Sequence, residues 1–572
     1  MTNDQNSNNN SCAAWIVKFL KAKNVDLIFG LQGGHIQPIW DFCFKLGVKI
    51  IDVRDEKAAV HMAQAYNILT GKVGVAMVTA GPGVTNTVTG IANASLSSNS
   101  ILLIGGCSPS PQSNMGGLQD IPSTEILKPI TRYSRTARVA EQLIRELDLA
   151  YASSIGQTGE SGPSYIEIPT NILRKTLKNK LILKEWMQAQ EKYKAYPNPD
   201  DIAYAINTLN NAKKPLLISG RGAKNCEKEL LEFIDKTNIL YLDTQDSRGL
   251  IPNDHPNNVY SARHNTMTDA DLIILIGRRL DYQLAFGSPA IFKNAKFIRI
   301  SDNFNELLDN RRGSPEILAD TSETLKQITP HLTNLKFDNN WIEKIKEEHK
   351  NRINKINSKT IEKLGKDGKI NPNLIFKEIR SLLSNDFIGI ADGGDILSFA
   401  RIGLTSRYYL DPGVFGCLGI GIPYAIAASE VYKDKKIVCV IGDGSFGFNA
   451  MEIDTAVRNN SNICIIISNN AGWNIETHDQ KINYGGRITG TKLRHCNYAN
   501  LANALGAKGI RVEKPDELKD AIKLGIKNTP SVIDVVTSST IISSDATKGL
   551  GFVPEYQALN IWNELETEFR KK

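Results

Sequence analysis

The chain has 572 residues, 41% of them hydrophobic and 23% charged, too long for a single core and too apolar for a disordered polymer. Its 68 basic and 61 acidic side chains leave a formal charge of +7, far from the concentrated positive field of a nucleic-acid binder. Two to four globular domains are the expectation. The eight cysteines are scattered, and no pair has the C-x-x-C spacing of a zinc or redox site. Met1 to Ser11 is polar and Asn-rich, without the basic and apolar regions of a signal peptide, and no apolar run reaches membrane-spanning length. A reducing, cytoplasmic location with no membrane and no nucleic-acid partner is expected.

Short Val/Ile/Leu-rich runs alternate with amphipathic stretches of helical length, the pattern of parallel α/β sheets. After a disordered N-terminus over residues 1–10, strands are predicted at Leu27 to Phe29, Lys49 to Val53, Val73 to Thr79, Ser100 to Gly105 and Ser164 to Ile168, in a first domain over residues 11–185. A polar, Lys-rich segment, Leu183 to Asp201, leads to a smaller central domain over residues 195–335, with strands at Pro215 to Ser219, Ile239 to Asp243, Leu272 to Ile276 and Lys296 to Ile300. A linker rich in Lys, Glu and Asn, Asn339 to Gly368, reads as a solvated helix surface. The third domain, residues 365–545, has strands at Phe387 to Ala391, Ile437 to Ile441, Ile463 to Ser468 and Ser531 to Val536. The fold class is therefore α/β, with three doubly wound parallel-sheet domains. The tail, residues 546–572, is Gly-rich and then helical, placed to close over a site and exclude water.

The run Lys436 to Ile441 leads into Gly442-Asp443-Gly444-Ser445-Phe446-Gly447, a G-x-G-x-x-G turn expected to open a helix over Ala450 to Arg458. Alone it suggests a nicotinamide or flavin oxidoreductase, but Asp443 would repel a pyrophosphate that needs bare backbone N–H groups. The next strand ends in Asn469-Asn470 where a ribose-binding fold wants an acid. A divalent cation between loop and phosphates resolves both anomalies. Mg²⁺ prefers oxygen ligands and uses one or two protein groups plus substrate phosphates; Asp443 and the Asn470 amide supply such oxygens, and the Gly472 carbonyl completes the set. If the two strands are neighbours, both residues emerge at the carboxyl edge where such sheets bind ligands.

A Gly-Asp-Gly followed after a helix and a strand by Asn-Asn resembles the diphosphate-binding motif of thiamine-diphosphate (ThDP) enzymes. The resemblance implies Mg²⁺ on Asp443, Asn470 and Gly472, diphosphate contacts from Gly444 and Ser445 beside Gly442, and a ThDP-enzyme fold of pyrimidine-binding, central and diphosphate-binding domains. The first domain then has to supply a carboxylate for the aminopyrimidine ring. Arg54-Asp55-Glu56-Lys57-Ala58-Ala59 and Val78-Thr79-Ala80-Gly81-Pro82-Gly83-Val84-Thr85-Asn86 resemble the acetolactate synthase branch. In that branch the residue matching Glu56 hydrogen-bonds a ring nitrogen and starts removal of the thiazolium proton. Asp55 is the lesser candidate, and the same resemblance implies cofactor contacts at Thr79, Gly81 and Asn86. Phe415-Gly416-Cys417-Leu418-Gly419-Ile420-Gly421 resembles the segment that bends the cofactor, with Leu418 as the apolar wedge and the Gly416 carbonyl on the pyrimidine amino group.

Three branches share these motifs. Leu118-Gln119-Asp120 and Pro129-Ile130-Thr131-Arg132 resemble acetolactate synthase, although Ala471-Gly472-Trp473-Asn474-Ile475-Glu476 departs from its usual Leu-Gly-Met-Val and Trp. Phe29 to Ile36, Gln119 and Arg487 to Thr491 resemble benzaldehyde lyase, in which the residue matching His35 moves protons on the hydroxyketone adduct. The second His of that lyase is absent around Asp411-Pro412-Gly413, and His35 has the alternative of capping the following helix. Gly277 to Gly287 and Gly447-Phe448-Asn449-Ala450-Met451-Glu452 resemble oxalyl-CoA decarboxylase and 2-hydroxyacyl-CoA lyase.

The resemblance implies an enzyme that decarboxylates a 2-oxoacid such as pyruvate and ligates the product to a second carbonyl compound. C–C cleavage of a 2-hydroxyacyl substrate is the alternative, and a non-catalytic ThDP-fold subunit the remote one. Catalytic roles fall to Glu56, His35 and Gln119. FAD, an ADP-containing nucleotide or nothing at all is the expectation for the central domain at Gly220-Arg221-Gly222 and Arg263, with Arg278 and Arg279 expected as surface side chains. Active sites shared between subunits imply a homodimer or homotetramer.

Overall fold

The computed structural model describes residues 9–177, 186–189, 191–333, 335–358 and 361–543, with four isolated positions at 564, 567, 568 and 571. Residues 1–8 of the expected disordered N-terminus over residues 1–10, and almost all of the expected closing tail, lie outside the described residues.

Among the described residues, seventeen parallel strands form three sheets. The first holds β1 (Leu27–Gly30), β2 (Lys49–Asp52), β3 (Gly74–Val78), β4 (Ile101–Cys107), β5 (Tyr133–Thr136) and β6 (Pro163–Pro169) in the order β2-β1-β3-β4-β6-β5. The central sheet holds β7 (Pro215–Ser219), β8 (Leu240–Leu242), β9 (Leu272–Ile276), β10 (Lys296–Ser301) and β11 (Glu316–Leu318) in the order β11-β10-β9-β7-β8. The third holds β12 (Ile388–Asp392), β13 (Tyr408–Leu410), β14 (Ile437–Gly442), β15 (Ile463–Asn469), β16 (Lys508–Val512) and β17 (Ser531–Val536) in the order β13-β12-β14-β15-β17-β16. Numbered within each sheet, the first and third have one and the same strand order.

The apolar runs make the inner strands because helices cover both faces of a parallel sheet; β3 and β15 are buried along their whole length. The helix Gly421–Val431 is buried on nearly every side. It packs against the helix Glu56–Thr70 of the first domain, and one apolar cluster runs from Phe29, Ile51 and Val84 through to Ile422, Ile441 and Phe446. The first and third domains therefore share a core. The helix Asn339–Ser358 buries only Trp341, Ile342 and Ile345, a solvated helix as its charge pattern predicts.

Strand order reverses in each sheet between its first and third strands: at β1/β3, β7/β9 and β12/β14. Open α/β sheets bind ligands in the crevice outside the carboxyl ends at such a reversal. The sequence motifs fall on these three places.

Candidate active site at the sheet reversals

At the β1/β3 crevice, Glu56 is the first residue of its helix. Asp55 is the N-cap and accepts from the Lys57 backbone N–H at 2.8 Å, so that acid is occupied with the helix end. Glu56 is 6% exposed, and its Oε2 accepts from the Asn86 side-chain amide at 2.9 Å. The turn at Gly83 lies directly on this carboxylate: a Cβ there would sit 3.4 Å from Glu56 Oε1 and 2.9 Å from the Thr79 methyl group. Thr79 Oγ1 in turn is 3.4 Å from His35 Nδ1.

His35 is 8% exposed. Burial pushes its pKa down, and the backbone at Leu118 partly offsets this, so the ring is neutral near pH 7. It does not cap the helix Gln37–Leu46, whose N-cap Ile36 makes no side-chain bond. Gly81, in the left-handed region at φ 58°, packs on Gln119: a Cβ would lie 2.8 Å from the Gln119 Cβ. Glu56, Asn86, Thr79, His35, Gly81 and Gln119 thus form one continuous patch.

At the β12/β14 crevice, β14 pairs with β15 through Gly442 and Ser468, which sets Asp443 beside the Asn pair. The helix starts at Asp443 itself and runs to Asn449, earlier than the predicted start at Ala450. Asp443 is 3% exposed. Burial pushes its pKa up to about 7, against the pull of N–H groups from Asp443, Gly444, Gly472 and Ala471. Asn469 is turned away and bonds Asp534 at 2.9 Å and the Cys496 carbonyl at 3.0 Å. Asn470 is not: its Oδ1, the Asp443 Oδ2 and the Ser445 Oγ are all buried without a hydrogen-bond partner.

Leaving buried oxygens unpaired costs about 1–3 kcal/mol each. A hard cation bearing an anionic ligand would satisfy a carboxylate, an amide oxygen and a hydroxyl together, so these residues fit Mg²⁺ with a diphosphate. Gly444 keeps the turn slim, since a Cβ there would meet the Trp473 ring at 2.6 Å. Gly472 sits in the same turn, after Ala471 at φ 58°.

The segment carrying Gly416 and Leu418 is anchored by a residue that sequence reasoning missed. Asp392, fully buried at the end of β12, accepts from the Gly419 N–H at 3.0 Å and the Gly421 N–H at 2.8 Å. Burial raises its pKa to about 7. An acid closing an apolar strand ahead of Gly393-Gly394 was the available signal. Gly416, at φ 66°, is exposed, as are the neighbouring Phe415 and, from the other motifs, Leu118 and Phe448.

The β7/β9 crevice differs. Gly222 and Gly277 pack backbone to backbone, so that a Cβ on Gly277 would lie 2.3 Å from the Gly222 Cα. Arg278 is not a surface side chain as expected. It is 5% exposed and bonds Asp281 twice at 2.8 Å and Gln283 at 2.8 Å, because Gly220 leaves room for its stem to lie inward. Arg221 pairs with Asp302 and Glu306, each at 3.1 Å, Arg279 with Glu160 at 3.0 Å, and Arg263 with the Asp243 carbonyl at 2.8 Å. A nucleotide here would have to displace these pairs. Among the described residues no helix is long and apolar enough to cross a membrane.

Residues 10–126, 202–328 and 396–535 match, respectively, the N-terminal TPP binding domain, the central domain and the C-terminal TPP binding domain of thiamine pyrophosphate enzymes. The chain is similar to 2-hydroxyacyl-CoA lyase 1 of Mus musculus (30% identity, 93% of this chain and 95% of that protein). It is also similar to 2-hydroxyacyl-CoA lyase 2 of Danio rerio (30%, 89% and 88%) and to a probable acetolactate synthase of Mycobacterium bovis (29%, 92% and 95%). With all three domains matched and a relative 30% identical over nearly the whole chain, the chain belongs to the thiamine pyrophosphate enzymes.

Proposed function

We propose that this ThDP-dependent enzyme makes or breaks a carbon–carbon bond beside a hydroxyl-bearing carbon, as a lyase of 2-hydroxyacyl substrates or a carboligase using a 2-oxoacid such as pyruvate. The observation that carries this reading is His35, a buried neutral imidazole beside Thr79 and on the same patch as Glu56. Cleavage of such a bond requires a base for the hydroxyl proton, and ligation requires the conjugate acid for the new alkoxide. Relatives named for both activities, at similar identity, support the class.

In this reading Asp443, Asn470 and Gly472 hold Mg²⁺, Gly442, Gly444 and Ser445 hold the diphosphate, and Thr79, Gly81, Gly416 and Leu418 hold the rings. Bound ThDP supplies a carbon that stabilises a carbanion. Glu56, kept dry and oriented by Asn86, presents its carboxylate to the pyrimidine nitrogen. His35 exchanges the proton of the substrate hydroxyl, and Gln119 donates its amide to the substrate carbonyl. The exposed Leu118, Phe415 and Phe448 around these groups support an assembly of two or four chains with shared sites.

The test is incubation of pure protein, ThDP and Mg²⁺ with pyruvate, benzoin, oxalyl-CoA and a 2-hydroxyacyl-CoA, with products identified by mass. An aldehyde from cleavage, or a hydroxyketone or acetolactate from ligation, is the expected result. Carbon dioxide and a simple acyl product alone would refute the carbon–carbon reading, and no turnover at full ThDP occupancy would point to a non-catalytic subunit.

A further inference from the structure

The motif ending in Glu452 is left without a role by the chemistry above. Glu452 opens the helix Glu452–Arg458 of the third domain and is 1% exposed. Its partners lie across the domain boundary. One oxygen, Oε1, accepts from the backbone N–H of Arg54 at 3.0 Å and of Asp55 at 3.1 Å, the two residues immediately before Glu56. The other, Oε2, accepts from the Thr455 hydroxyl at 2.6 Å.

These two N–H groups stand ahead of the first helical turn and have no helical acceptor. Without Glu452 they would lose their protein acceptor. Two further contacts from the same helix reach the same turn: Arg458 bonds the Asp52 carboxylate at 2.9 Å and carbonyl at 2.8 Å, and Arg54 lies 3.6 Å from Asp454. Those pairs are partly exposed and contribute little to rigidity. Glu452 is the buried member. Burial and the neighbouring Asp55 raise its pKa to about 7, a perturbation that a purely apolar contact would have avoided.

We infer that Glu452 is a positioning residue for Glu56: it holds the strand-to-helix turn so that the Glu56 carboxylate meets the cofactor ring in register. This rests on the activating role proposed for Glu56. What Glu452 supplies is an acceptor oxygen at one place, so an amide of the same shape serves and a shorter or absent side chain does not. Displacement of a catalytic group by about 1 Å lowers rates on the order of 100-fold.

The readout is deuterium exchange at the reactive thiazolium carbon of bound ThDP, measured by acid quench and NMR after dilution of the Mg²⁺-loaded protein into ²H₂O, with no substrate present. Glu452→Ala and Glu452→Asp should slow exchange per bound cofactor by 10- to 100-fold, with ThDP affinity within about threefold of wild type, while Glu452→Gln stays near wild type. Exchange in the Ala and Asp variants within twofold of wild type would overturn the inference, as would a Gln variant as slow as Ala. If Glu452→Ala does not fold, the Asp and Gln pair decides. Glu56→Gln in parallel separates the two ideas: undiminished exchange there removes the role of Glu56 itself, whatever Glu452 does.

Discussion

At the scale of single residues, the oxygens of Asp443, Asn470 and Ser445 are buried and unpaired together, and Glu56 is enclosed with one amide donor. The two acids should therefore fail differently. Glu56→Gln is expected to abolish turnover and leave ThDP binding intact in calorimetric titration, whereas Asp443→Ala should lose Mg²⁺-dependent ThDP retention. Equal loss of both properties in Glu56→Gln would make that residue structural. For His35→Phe, kcat should fall by about 10²- to 10⁴-fold, the range for a general acid–base group, with cofactor affinity unchanged; unchanged kcat would remove His35 from the proton path. The amide of Asn86 shows the limit of a motif. The pattern marks it as part of the site, but only its partner shows that it serves Glu56 rather than standing alone.

At the scale of elements, most of the legible strands are buried on both faces, where apolar runs such as Gly74 to Val78 and Ile463 to Asn469 are unmistakable. The strands without such a run, β5, β11, β13 and β16, each lie at a sheet edge. With one flank unpaired, sequences such as Tyr-Ser-Arg-Thr and Lys-Gly-Ile-Arg-Val suffice. The site was legible for a related reason, because turns that place backbone against a ligand need Gly, Asp and Asn at fixed spacing. What stayed hidden was support from a distance, as with Asp392 beneath the Gly416 to Gly421 segment.

That support has a measurable signature. The Asp392 carboxyl goes from its ordinary 3.8 in the unfolded chain to about 7 in the fold, so the native state binds the proton more tightly. Its contribution to stability is complete below about pH 4 and is lost as pH rises toward 7, by about 1.4 kcal/mol per pH unit. Asp392→Asn keeps an acceptor for both N–H groups and removes the titration, so denaturation midpoints between pH 4 and 7 should fall less steeply than in wild type. An identical slope would contradict the assignment.

At the scale of the whole molecule, the first and third domains repeat one strand order and are fused through one apolar cluster. Scanning calorimetry should therefore show them melting in a single transition, and a fragment spanning residues 9–177 should aggregate, since it would expose Ile51, Val84 and the inner face of the helix Glu56–Thr70. Two separate transitions assigned to these domains would show that the cluster does not couple them. Joined this way, the pair is expected to move as one body. Substrates have to come and go through movements of short surface segments, so changes in what the protein accepts are to be sought in those rims and not in the framework beneath.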